Sequence, residues 1–135
     1  MDHNQSDDQT SNLHDVSHKT RTFALTLPEA IEDFPWGEPV TKVNKKIFVF
    51  FGSQSNLETE FTLSLKLPYS HSDVLSLPFA EPMGYGLGKN GWVTVHFVAS
   101  DQVPLSLVQQ WITESYRAVA PKRLIAQLDN HKSKK

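Results

Sequence analysis

One stretch constrains the fold more than any other: residues 83–98, Met-Gly-Tyr-Gly-Leu-Gly-Lys-Asn-Gly-Trp-Val-Thr-Val-His-Phe-Val. It gathers four of the chain's six glycines, at 84, 86, 88 and 91, into eight residues and then turns into a β-branched run. Each glycine costs a helix roughly 1 kcal/mol relative to alanine, so the first half is a loop. The second half is a strand, with Val93, Val95 and Phe97 on one face and Trp92, Thr94 and His96 on the other.

The rest of the chain falls into place around that unit. Residues 1–12 are polar and read as a disordered tail, because they bury too little apolar area to offset ordering. A single α+β domain is expected over 13–130, followed by a basic tail at 131–135. Leu13, Val16, Phe23, Ala24 and Leu27 suit one helical stripe that Pro28 stops. Phe34-Pro35-Trp36-Gly37-Glu38-Pro39 forbids helix and leads into a strand over about 38–43. Asn44 tolerates positive φ and marks a tight turn. Residues 47–51 are apolar on both faces, which asks for a strand that is central or covered on both sides. Phe61, Leu63, Leu65 and Leu67 then alternate with Thr62, Ser64 and Lys66.

Ser70 or Ser72 is placed to cap a short helix through Val74, Leu75 and Leu77. Pro104 suits a first helical turn, with Leu105, Val108, Ile112, Tyr116 and Val119 on one face. Past Pro121, a terminal helix carries Leu124, Ile125 and Leu128. Hairpin-length links between the strands make this an antiparallel β-sheet backed by N- and C-terminal helices, a two-layer sandwich.

Several chemistries drop out. The chain has no cysteine, and its longest apolar run, 47–51, is too short to cross a bilayer. The first twenty residues hold no secretory apolar region, so a cytoplasmic protein without membrane association is expected. Residues 86–91 spell G-x-G-x-x-G, but a strand follows where a dinucleotide site needs a helix N-terminus. The kinase glycine loop fails for want of H-R-D and D-F-G motifs. The histidines, at 3, 14, 18, 71, 96 and 131, lack the convergent spacing of a metal site. Asp33, Glu38, Glu58, Glu60 and Asp73 read as surface charges. No cofactor and no catalytic residues are expected.

Surface charge is more telling. Residues 1–17 hold Asp2, Asp7, Asp8 and Asp15 and no Lys or Arg. Setting those acids aside turns the formal net charge of −2 into a slightly basic body. Lys42, Lys45 and Lys46 cluster at the first hairpin, and Lys89 sits in the glycine loop. Two lysine-bearing loops suit a pair of wings on a phosphate backbone. Lys66 and Trp92 share the adjoining outward face, suited to stacking a base or holding a phosphate. Trp111 reads as core.

The blocks Ala24-Leu25-Thr26-Leu27-Pro28, Phe34-Pro35-Trp36-Gly37-Glu38-Pro39 running to Lys42, Leu63-Ser64-Leu65-Lys66, Lys89 with Trp92-Val93-Thr94-Val95, and Ile112-Thr113-Glu114-Ser115-Tyr116 resemble the MmcQ/YjbR family over about residues 18–128. That resemblance implies a CyaY-like α+β sandwich and DNA binding through a double-wing motif. Many members carry a His-x-Asn-Lys-Arg-His-Trp-like segment where this chain has Gly86 to Trp92, so only Lys89 and Trp92 carry over there. The expected function is DNA binding with little sequence specificity, through Lys42, Lys45, Lys46, Lys66, Lys89 and Trp92. Double-stranded DNA is the expected partner, and a monomer or weak homo-oligomer the expected state. The alternative is a small-molecule or protein-interaction module with a pocket near the glycine loop and Trp36 or Trp92.

Overall fold

The computed structural model describes residues 9–10, 12–84 and 86–133. A six-stranded antiparallel sheet runs β2(Ile31–Asp33), β3(Val40–Val43), β4(Lys46–Phe51), β5(Glu60–Lys66), β7(Trp92–Val98) and β6(Ala80–Pro82) in spatial order. Helices α1(Leu13–Leu25), α3(Leu105–Val119) and α4(Lys122–Ser133) contribute to the layer behind it. The short α2(His71–Leu75) links β5 to β6. A two-residue strand β1(Gln9–Thr10) pairs with β8(Val103–Pro104). Pairing therefore begins inside the stretch read as a tail, and Asn12 caps α1 by accepting the Asp15 N–H at 3.0 Å. The tail reading of residues 1–8 lies outside the described residues, as it does for 134–135.

The expected period-2 faces are present. Val49, Leu65 and Val93 sit in register across three strands, as do Phe51, Leu63 and Val95, all buried against the helices. β5 and β7 pair from Glu60 with Val98 to Lys66 with Trp92 without a break. Trp111 is buried, as expected.

Strand β4 is central, paired on both edges as its two apolar faces ask, but it carries an irregularity. Thr41 pairs with Val49 but Lys42 pairs with Ile47, so Phe48 is an extra residue. This bulge turns Phe48 inward, where its ring meets Tyr116 edge-on at 5.3 Å, and leaves Phe50 on the face away from the helices. Bulges strand backbone groups. Here the buried Ser115 hydroxyl donates to the Phe48 carbonyl at 2.6 Å and accepts the Lys66 N–H at 2.9 Å.

Other boundaries shift for local reasons. The first helix ends at Leu25, two residues before the expected stop, and the strand expected from Glu38 begins at Val40. Before it, Glu38 accepts the Gln54 N–H and Pro39 accepts the Phe51 N–H. Pro104 precedes α3 as its N-cap rather than occupying its first turn. Neither Ser70 nor Ser72 caps α2 through its side chain: Glu114, from α3, accepts the Tyr69 and Ser70 N–H groups and the Ser70 hydroxyl.

Two outcomes test this account. Ser115→Ala leaves a buried carbonyl and a buried N–H unpaired, and should lower unfolding free energy by about 2–4 kcal/mol in a denaturant titration. The Tyr116 hydroxyl donates to the Pro28 carbonyl at 2.7 Å, and burial, reinforced by Glu29 and opposed by Arg123, raises its pKa above the usual 10.0. A raised folded-state pKa means stability held below the unfolded value and lost as pH climbs through the folded one. The melting temperature should fall above pH 10 by an increment that Tyr116→Phe abolishes.

Candidate nucleic-acid interface

The direction of each strand decides which loops share an end of the sheet. β3, β5 and β6 run one way and β4 and β7 the other. The β3–β4 turn, the end of β5 and the β6–β7 glycine loop therefore lie at the same end. Lys45 and Lys46, Lys66, and Lys89 with Trp92 occupy those three positions. At about 4.8 Å per strand, the two hairpins are centred roughly 14 Å apart, with β5 between them.

Both connections are tight. Asn44 (φ 52°) and Lys45 (φ 71°) form a two-residue turn with both central residues left-handed. Asn44 meets that demand as expected, but Lys45 is held there against its preference. In the glycine loop, residues 87–90 form a single 3-10 turn, and Gly91 (φ 87°) passes its carbonyl to the Leu67 N–H at 2.8 Å. A side chain at Gly88 would start 2.9 Å from the Pro82 Cβ. The glycines serve close packing of the loop on the sheet end, leaving Lys89 exposed.

Charge pairing separates the lysines. Arg21 holds Glu32, Lys19 holds Asp15, Arg117 holds Asp129 and Arg123 holds Glu29. Lys42 lies on the open face, bonded to Asp33 at 2.8 Å, which lowers the Asp33 pKa. A carboxylate thus stands against its charge. Lys45, Lys46, Lys66 and Lys89 have no carboxylate partner among the described residues, and neither has Lys122 at the start of α4.

The sheet face away from the helices adjoins this end. Phe50 pairs with Ser64, Ser64 with Thr94, and Thr94 with Glu81 across four strands. The Ser64 and Thr94 hydroxyls are 2.7 Å apart. Thr62 lies 3.3 Å from His96 Nδ1, whose Nε2 meets Glu81 at 2.7 Å. The Trp36 ring stacks on Phe50 at 6.1 Å and 19°, and the Trp92 ring meets Phe50 at 5.4 Å and 66°. The expected pairing of Lys66 with Trp92 on one face is observed, directly opposite each other. Sequence reasoning missed Phe50 as a face residue, because the bulge that reverses it leaves no mark in an all-apolar run.

A groove of about 1020 Å³ opens in the helical layer, lined by Phe23, Gln109, Glu114, Arg117 and Ile125 among others. Trp36, Trp92 and the glycine loop do not line it. Among the described residues, no group of three His, Asp or Glu is placed to hold a metal, and no helix is long and apolar enough to cross a membrane.

The crystal structure of the Deinococcus radiodurans protein DR2400, with family-model domain DUF419, is similar to this chain. The TM-score is 0.61 at 26% identity, over 80% of this chain and 79% of that one. No curated protein matches. A family model described as YjbR matches residues 25–118, from the end of α1 through nearly all of α3 and including the whole six-stranded sheet. The chain belongs to the YjbR family.

Proposed function

We infer that the protein binds DNA through its phosphate backbone, with little sequence specificity, and acts by binding rather than catalysis. One observation carries this reading: Lys45, Lys46, Lys66 and Lys89, all without carboxylate partners among the described residues, gather at one end of the sheet. The formal net charge of −2 does not oppose it. Screening at physiological salt confines each charge to about 8 Å, so a backbone meets the local patch rather than the sum. The roughly 14 Å between hairpins is comparable with the ~12 Å width of a major groove, so the two hairpins can address phosphates on its two sides. A cytoplasmic setting and a monomeric or weakly associating state accord with such a role. The family membership is compatible with it.

Titration of a labelled duplex over about 20–200 mM salt checks it. Four phosphate contacts predict a log–log salt slope of about −3 to −4, with each lysine removed reducing it by about 1. Lys45→Gly is the cleanest charge deletion, since glycine suits the left-handed turn position and the hairpin is stabilised rather than strained. Asp33→Asn frees Lys42 and should steepen the slope. No binding at low salt, or a slope indifferent to Lys45→Gly with Lys46→Ala, overturns the reading.

A further inference from the structure

Beyond the lysines, the open sheet face carries exposed aromatic surface. Trp36 is 69% exposed although it lies against the sheet, a costly place for an indole. Its loop is held in place. Asp33 accepts the Phe34 N–H at 2.8 Å, the Phe34 carbonyl accepts the Gly37 N–H, and Gly37 adopts φ 89°. Trp36 reaches Phe50 from the β2–β3 side of β4 and Trp92 reaches it from β7 beyond β5, so the three rings form a continuous aromatic platform across the face, with the exposed Trp36 ring nearly parallel to Phe50 and Trp92 steeply inclined to it. On the same face Ser64 is bonded to Thr94, and Thr62 to His96, which also meets Glu81. Trp92 pairs across the strands with Lys66, so the aromatic platform adjoins the unpaired lysines.

We propose that this platform stacks unpaired bases of a nucleic-acid strand whose phosphates lie on Lys45, Lys46, Lys66 and Lys89. The occupant follows from the combination. A π surface alone accepts any planar ligand, but one bordered by unpartnered cations selects a planar group carried on a polyanion, the chemistry of a single strand. Bases within an intact duplex have both faces stacked already, so the platform distinguishes strands with unpaired nucleotides. The inference rests on the lysine surface contacting phosphate and adds a preference that the surface alone does not give.

The test compares a 15-nucleotide oligothymidylate, the corresponding oligouridylate, a 15-base-pair duplex and inorganic polyphosphate, using the full chain. The tryptophans report directly, because Trp111 is 4% exposed whereas Trp36 and Trp92 lie on the platform. Oligothymidylate should quench their fluorescence and bind about tenfold or more tighter than the duplex. Oligouridylate, which also carries unpaired bases, should quench the same tryptophans, and failure to do so counts against stacking. Trp36→Ala should weaken single-strand binding about tenfold while leaving the polyphosphate affinity and salt slope unchanged, and Trp36→Phe should restore much of it. Single-strand affinity no greater than duplex affinity, with Trp36→Ala indifferent and duplex binding still lysine-dependent, overturns the platform and leaves the phosphate reading standing. No binding of any polyanion overturns both.

Discussion

The arrangement of both faces depends on one hydroxyl. Ser115 joins the Phe48 carbonyl to the Lys66 N–H, completing the ladder where β4 carries an extra residue. A buried carbonyl and N–H left without partners would each cost about 1–3 kcal/mol. Satisfied, they let Phe48 turn toward Tyr116 and Phe50 turn away, and Phe50 is the ring on which both platform tryptophans lean. A bond in the core thus sets the composition of the outer surface.

The neighbours of Ser115 share this structural role. Glu114 holds the chain entering α2, and Tyr116 holds the Pro28 carbonyl after α1. Three successive side chains on α3 fix three separate segments to the helix. Ile112-Thr113-Glu114-Ser115-Tyr116 was one of the blocks that carried the family resemblance, and its polar members serve the architecture. The lysines, by contrast, make few bonds within the protein.

The parts legible in the sequence are those governed by short-range periodicity. The alternation from Phe61 to Leu67, the strand opening at Trp92, the α3 stripe and the turn at Asn44 all emerge as read. β2 and β6 were illegible because three residues cannot display a period, and Pro82 argues against a strand. The partners of Glu114 and Ser115 lie 44 to 67 residues away, beyond any local pattern. The candidate lysines were legible as types. Their division into the paired Lys42 and its partnerless companions was not, because it depends on where Asp33 lands beside β3.

The outer strands bear on how copies of the protein meet. β2 and β6 are each three residues long, with Arg21 bound to Glu32 at one margin and Pro82 offering no amide at the other. Short, charged or proline-bearing margins resist pairing with a neighbouring chain. The sheet therefore does not readily extend from molecule to molecule through its edges, even while an indole stands in the open. One sheet thus combines an exposed indole on its face with margins that resist pairing.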